Sequence, residues 1–142
     1  MPNFYFNEGQ IILPDNWEDK TVSVLSFPAN AEQSSASLTI TRQRVSDKNI
    51  NLATYVDQHL QTAKKFPSFK LLRHGDTVIN GQEAEQLEFS WQTPEKIVVR
   101  QFQTILKHQN SIFITFTATS KKTNFDEFKE IFQSLFESIR FR

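Results

Sequence analysis

The sequence predicts an α+β fold, in which a twisted, mainly antiparallel β-sheet packs with two main helices. Most of the 142-residue chain alternates apolar and polar side chains with a period of two, which is typical of strands. Only two segments change to the 3.6-residue period of a helix. Roughly four strands precede each helix, whereas a parallel sheet would alternate single strands with helices. This pattern alone predicts that both helices cover one face of the sheet or its edge.

The strands are predicted where β-branched and aromatic residues alternate with polar ones. These runs cover 21–27, 37–44, 84–92, 97–107 and 111–119. Asn80-Gly81 lies between two further strand-like runs, and this pair predicts a two-residue hairpin turn. Gly75 is expected to interrupt the first of those two runs.

The first helix is predicted over 52–66, where apolar residues recur every three or four positions. Asn51 is expected to cap its N-terminus, and Pro67 is expected to end it. The second helix is predicted over 125–139, where Asn124 and Glu127 resemble a capping box. Its predicted core stripe consists of Phe125, Phe128, Phe132, Leu135, Phe136 and Ile139.

Composition excludes several classes of protein. Lys plus Arg and Asp plus Glu are both 16, so there is no excess positive charge to indicate nucleic-acid binding. The chain has no cysteine, which excludes a disulfide framework, a thiol nucleophile and a cysteine zinc site. It has no run of apolar residues long enough to span a membrane, so no direct membrane insertion is predicted. The start of the chain lacks signal-peptide features, and we expect one cytoplasmic domain over residues 1–142.

No group of residues predicts catalysis. The three histidines, His59, His74 and His108, lack the spacing of a metal site. The chain has no glycine-rich phosphate loop and no nucleophile in a catalytic context. The acids Glu83, Glu85 and Glu88 are expected to be solvated residues at the rim of a hairpin. We therefore predict a protein that is not an enzyme and that holds no metal or cofactor.

One predicted face of the sheet carries neutral polar groups rather than charges. Serine, threonine and glutamine side chains share this face with aliphatic side chains. The polar residues are Ser37, Thr39, Thr41, Gln43, Gln101 and Gln103, and the aliphatic residues are Val22, Val24, Ile97 and Val99. Threonine favours strands in any case, so an ordinary half-exposed sheet accounts for this pattern. The alternative is a surface that buries an apolar partner while hydrogen-bonding to it.

Short segments along the chain resemble one family in their order and spacing. They are LPDNWEDKTVSV at 13–24, ASLTITR at 36–42, Tyr55-Val56 with Leu60, FPSFKL at 66–71, WQ at 91–92 and VRQ at 99–101. Together they resemble the DcrB-like chaperones called Eag proteins, which are encoded beside effectors of the bacterial type VI secretion system. The resemblance extends from about residue 4 to about residue 139.

The resemblance implies a Mog1/PsbP-like fold, an α/β/α sandwich. It also implies a small cytoplasmic homodimer without enzymatic activity. Its partner would be the N-terminal transmembrane region of a secreted toxin effector, with the spike-tip domain of that effector as a further contact. The chaperone would shield those helices and help to load the effector onto the spike. The alternative is a generic Mog1-like module that binds a folded regulatory partner.

The resemblance also implies an effector-binding site on the polar sheet face. Matched by position, Val22 and Val24 supply its aliphatic pair, Ser37 and Thr41 its hydroxyl pair, and Gln101 its strand glutamine. A glutamine expected on the first helix falls at Gln58-His59. The full set of candidates is Val22, Val24, Ser37, Thr39, Thr41, Gln58, His59, Val99, Gln101 and Gln103.

Overall fold

A computed structural model describes residues 3–17, 20–27, 36–45, 49–108 and 112–141, except for the side chains of Phe6, Phe27 and Asn124. Glu18 and Asp19 of the family-like opening segment lie outside these ranges. Four strands, a helix, four strands and a helix follow one another, in the predicted order. The elements are β1 (Asn3–Phe6), β2 (Gly9–Ile12), β3 (Ser23–Phe27), β4 (Ala36–Arg44), α1 (Leu52–Ala63), β5 (Lys70–Ile79), β6 (Gln82–Gln92), β7 (Val98–His108), β8 (Ile112–Lys121), a 3-10 turn (Lys122–Asn124) and α2 (Phe125–Glu137).

Six of these strands form one antiparallel sheet in the order β3-β4-β8-β7-β6-β5, which confirms the predicted sheet type. Strands β1 and β2 form a separate hairpin. In an antiparallel sheet, directly opposed residues place their side chains on the same face. Val24, Thr39, Thr117, Gln103 and Leu87 are opposed in succession, so they form one row across five strands.

The two helices lie on opposite faces of the sheet. Helix α1 contributes to a buried cluster of Val56, Leu60, Leu87, Phe89 and Ile105. Helix α2 contributes Phe125, Phe128, Phe132 and Phe136 to a second cluster, which includes Phe102, Leu106 and Ala118. The expectation that both helices cover one face is therefore wrong, and the α/β/α arrangement implied by the resemblance is confirmed. A strand that is buried on both faces carries apolar side chains on each of them. The alternation in the sequence therefore does not tell which helix covers which face.

Helix α1 begins as predicted, because Asn51 Oδ1 accepts a hydrogen bond of 2.8 Å from the Thr54 amide. The helix ends at Ala63, before the predicted residue 66, because the chain tightens there into 3-10-type turns. Helix α2 ends at Glu137 rather than at 139. The predicted capping box of α2 depends on the Asn124 side chain, which lies outside the described side chains.

The predicted hairpin turn joins β5 to β6. Asn80 and Gly81 both have positive φ angles, 49° and 81°, as a two-residue type I′ turn requires. The expectation for Gly75 is wrong, because β5 continues through Gly75, which lies opposite Gln86. The irregularity in β5 falls instead between Leu71 and Arg73, where the register shifts.

Two of the three acids predicted to be solvated are buried. The Glu88 side chain is only about 3% exposed, and its carboxylate lies 2.9 Å from Arg100 Nη2 and 3.8 Å from both Arg73 Nε and Lys129 Nζ. Glu85 is also buried, with its Oε1 2.7 Å from His74 Nε2. Only Glu83 is exposed. The Glu88 contacts link β5, β6, β7 and α2, so its role is structural rather than that of a solvated rim residue.

Candidate binding groove

Helix α1 covers only part of its face of the sheet. Its buried side chains pack on β6 and β7, and Tyr55 covers Phe113 at one end of β8. The β3 and β4 portion of that face and the Thr117–Thr119 end of β8 are open. We call this open area the groove. Its floor and walls are formed by Val22, Val24, Ser37, Thr39, Thr41, Gln101, Gln103, Thr115, Thr117 and Thr119, with Tyr55 and His59 of α1 on one side.

The groove contains two cavities that meet at His59. One has a volume of about 290 Å³, and its lining includes Phe66, Trp91, Thr39, Thr117 and Gln103. The second is wider, at about 940 Å³, and its lining includes Trp17, Val22, Thr41 and Tyr55. His59 lines both cavities. The wider end is also the more basic, because Lys20, Arg42 and Arg44 contribute to its lining.

Gln101 is held in one orientation by Trp91. The indole Nε1 of Trp91 donates a hydrogen bond of 2.9 Å to Gln101 Oε1. Because an indole N–H can only donate, this contact fixes which end of the amide is oxygen. Gln101 Nε2 then donates to Thr119 Oγ1 at 3.0 Å. The Thr119 hydroxyl accepts in this contact, so its own proton is available for a different acceptor.

Gln103 repeats this arrangement one step along the strand. Its Oε1 lies 2.8 Å from His59 Nε2, and its Nε2 donates to Thr117 Oγ1 at 3.0 Å. Gln103 is only 6% exposed, so the bond joins α1 to the floor beneath it. Two parallel glutamine–threonine pairs therefore define the groove floor.

Tyr55 lies at the wider end of the groove wall. Its ring stacks on Phe113 with centroids 4.0 Å apart, and its hydroxyl donates to Gln43 Oε1 at 2.9 Å. Burial raises the pKa of the Tyr55 hydroxyl, which the hydrogen bond with Thr115 opposes. The hydroxyl therefore remains protonated near neutral pH and keeps its role as a donor.

All of the sequence-predicted candidates except Gln58 lie on or beside the groove. Val22 and Val24 are exposed at its open side, where Val24 is 64% exposed. Ser37, Thr39 and Thr41 lie on the floor. Val99 lies two residues before Gln101 on β7, on the same face, and is paired with Trp91 of β6. Gln58 is exposed, about 100° around α1 from His59. The helix therefore presents His59 to the floor of the groove.

Sequence reasoning missed several residues that shape the groove. The aromatic wall residues Phe66 and Trp91, with ring centroids 5.0 Å apart, were not among the candidates, and neither were Thr117 and Thr119. The threonines had a signal, because they alternate with Phe116 and Ala118 of the opposite face. Phe66 and Trp91 had none, because they are brought together from separate elements by the fold.

The described residues form no group that resembles a metal centre. Within the described ranges, no three His, Asp or Glu side chains lie close enough together to hold a metal ion. In the same part of the chain, no helix has the length and apolar character needed to cross a membrane.

The sequence matches known proteins over most of its length. A family model described as DcrB matches residues 8–138. A Pseudomonas aeruginosa protein named Effector EagT6 is 28% identical over 121 residues, which cover 84% of this chain and 83% of that protein.

Three solved structures share the fold. A Pseudomonas aeruginosa protein of unknown function, PA94, has a TM-score of 0.84 at 26% identity, covering 100% of this chain and 97% of its own. LpqN of Mycobacterium tuberculosis, described as involved in cell envelope biogenesis, has a TM-score of 0.60, covering 87% of this chain and 85% of its own. Cyanobacterial PsbP from Synechocystis has a TM-score of 0.54, and the match covers 88% of this chain and 81% of that structure. The last two are 11% identical and show the fold alone, which is Mog1/PsbP-like.

Proposed function

The chain belongs to the DcrB family, and from that premise we propose that it is a non-enzymatic, effector-specific chaperone of the Eag type. It binds and shields the N-terminal transmembrane helices of a type VI secretion effector and helps to load that effector onto the spike. It acts in the cytoplasm as a homodimer. The observation that carries the proposal is the open groove beside α1, which combines exposed valines with a neutral, hydrogen-bonding floor.

The dimensions of the groove support a helical partner. Strands β3, β4 and β8 are neighbours, so the open floor is about 10 Å across at roughly 4.8 Å per strand spacing. A helix with its side chains is about 10–12 Å in diameter. The floor beside α1 therefore accommodates one helix lying against the sheet.

The chemistry of the groove supports an apolar helix that packs closely. An exposed transmembrane helix gains about 25 cal/mol for each Å² of apolar surface that the chaperone covers. Helices of this kind are rich in Gly, Ala, Ser and Thr at their packing faces, where hydroxyls and backbone carbonyls come within reach. The free proton of Thr119 matches such acceptors. Each bond adds about 0.5–1.5 kcal/mol, which favours register without preventing release.

Affinity capture from the native host tests this function. The tagged wild-type chain should retain one secreted effector that has apolar N-terminal segments, identified by mass spectrometry. The Val24→Asp variant should lose this effector, because a carboxylate in the groove must be desolvated against an apolar helix. Retention of only a folded, soluble partner, equally by both proteins, would favour the Mog1-like alternative instead.

A further inference from the structure

One end of the six-stranded sheet gathers exposed lysines from separate parts of the chain. This end is formed by the C-terminus of α1, the start of β5, the turn between β6 and β7 and the end of β8. The Gln92 amide donates a hydrogen bond of 2.8 Å to the Pro67 carbonyl, and Lys121 pairs with Val99, so these segments are neighbours. We call this surface the lysine end. Its exposed cations are Lys64, Lys65, Lys70, Lys96, Lys121 and Lys122.

The charge of the lysine end is not neutralised by the rest of the described chain. Arg73, Arg100 and Lys129 share the carboxylate of Glu88, whereas none of the six lysines forms an ion pair with another described residue. The lysines also outnumber the exposed acids described at this end, which are Glu95, Asp126 and Glu127. Because like charges repel one another, such a cluster does not stabilise the fold by itself.

Helix electrostatics account for only two of the lysines. Lys64 and Lys65 follow the C-terminus of α1, where a cation is favourable. Lys121 and Lys122 instead lie just before the N-terminus of α2, where a cation is unfavourable. The position of this second pair therefore indicates a negatively charged partner outside the molecule.

Exposed apolar side chains lie among these lysines. Ile97 and Val98 follow the lysine of the β6–β7 turn and are 41% and 38% exposed. Phe66 and Leu71 each follow a lysine of the segment between α1 and β5, and each is 39% exposed. The lysine end therefore combines positive charge with apolar groups that reach solvent.

We propose that the lysine end docks on an anionic membrane surface, with its lysines among the lipid headgroups and its apolar side chains at the boundary below them. Protein interfaces are enriched in arginine and depleted in lysine, and none of these six cations is an arginine. Lysine is a compact, hydrated point charge, which suits a diffuse layer of anionic headgroups. Apolar side chains beside lysines are typical of surfaces that lie on a bilayer without spanning it.

Docking at this end brings the groove close to the membrane. Phe66 belongs to the lysine end and also lines the narrower cavity of the groove. Lys121 is paired with Val99, two residues from Gln101 of the groove floor. This membrane contact goes beyond the proposed function, and it requires no bound effector.

Vesicle co-sedimentation tests the proposal with the chain alone. Vesicles of phosphatidylcholine mixed equally with phosphatidylglycerol should retain the wild type at low salt, whereas vesicles of phosphatidylcholine alone should not. Raised salt should release the chain, because it screens the attraction. Lys65→Gln combined with Lys96→Gln should weaken binding about 25-fold, at roughly fivefold for each lysine. Lys65→Arg combined with Lys96→Arg is the matched control, because it keeps both charges and should bind as the wild type does.

A fluorescent reporter identifies the end that meets the membrane. The natural chain has no cysteine, so Ile97→Cys carries a single environment-sensitive dye. Val78→Cys is the control, because Val78 is 62% exposed at the opposite end of β5. The anionic vesicles should shift the emission of the dye at position 97 to the blue and leave the dye at position 78 unchanged. Circular dichroism checks that all variants are folded.

Four results would overturn the proposal. They are no binding to the anionic vesicles, equal binding to both kinds of vesicle, equal binding by the glutamine variant and the wild type, and an equal emission shift at both dye positions. A wild type that ignores vesicles but binds polyglutamate with the same lysine dependence would assign this end to an acidic protein instead. These outcomes leave the groove untouched, and failure to capture an effector would leave the membrane contact untouched.

Discussion

At the scale of single residues, the groove depends on glutamines that are fixed from outside their own strand. The sequence predicted Gln101 and Gln103 from alternation and from family resemblance, and the structure places both on the groove floor. It did not predict the groups that orient them. Trp91 is 10 residues from Gln101, and His59 is 44 residues from Gln103, so both contacts exist only after the sheet and α1 have packed. Local sequence pattern carries no information about such pairs.

Val24→Asp should abolish co-purification with the effector while leaving the fold intact. Val24 is mostly exposed, so the substitution removes little buried surface, and the new carboxylate faces the bound helix. Co-expression with the effector N-terminal region and affinity capture measures the effect. Val78→Asp, at an equally exposed position on the β5 edge, is the matched control and should bind normally. Normal binding by a folded Val24→Asp variant would refute the placement of the site.

Gln101→Ala should weaken effector binding by about 1 kcal/mol and lower the free energy of unfolding by a similar amount. The substitution removes the acceptor of the Trp91 indole and the donor to Thr119. Calorimetry with a soluble effector fragment measures the first quantity, and urea denaturation measures the second. Gln58→Ala is the control, because Gln58 is exposed on α1. A larger binding loss for Gln58→Ala than for Gln101→Ala would show that the helix presents Gln58 to the effector instead.

At the scale of elements, the order of strands and helices was predictable because each element has a strong period and clear ends. Asn51 and the Asn80-Gly81 turn act through contacts within a few residues, so the sequence alone identifies them. Gly75 and Glu88 were misjudged for the opposite reason. Gly75 is held in β5 by pairing with β6, and Glu88 is buried by cations from three other elements. Tertiary contacts overrode the local preference at both positions.

Asn51→Ala should lower the free energy of unfolding by about 1 kcal/mol, because the Thr54 amide loses its cap acceptor. Asn51→Asp keeps an acceptor oxygen at the same place and should remain close to the wild type. Urea denaturation of the three proteins measures the difference. Equal stability of the alanine and wild-type proteins would mean that the cap contributes nothing to α1.

Glu88→Gln should lower the free energy of unfolding by about 2 kcal/mol. Removing one partner of a fully buried ion pair costs roughly 3–5 kcal/mol. The cost is smaller at Glu88, because the cations around it still reach solvent. Glu83→Gln, at an exposed position on the same strand, should change stability by less than about 0.5 kcal/mol. Thermal and urea unfolding compare the two variants. A Glu88→Gln protein as stable as Glu83→Gln would contradict the structural role of the buried carboxylate.

At the scale of the whole molecule, the sequence predicted the fold class but not the side of the sheet on which each helix lies. The stripe on α1 and the stripe on α2 are both apolar, and either could pack on either face of strands such as β7, which is apolar on both. Only the full arrangement shows that α1 covers part of its face and leaves the groove open. The zero net charge of the chain agrees with an apolar partner, because a field of either sign would add desolvation cost without adding contacts.

We propose that the groove beside α1 holds apolar N-terminal segments of a secreted effector. Site-specific photo-crosslinking in the native host tests it most directly, with a photoreactive residue at Thr39 on the groove floor and, as the control, at exposed Glu83. Mass spectrometry then identifies the crosslinked peptides. We expect position 39 to crosslink to the apolar N-terminal segment of one effector and position 83 not to. Crosslinks to that segment from position 83 alone, or from both positions equally, would contradict it.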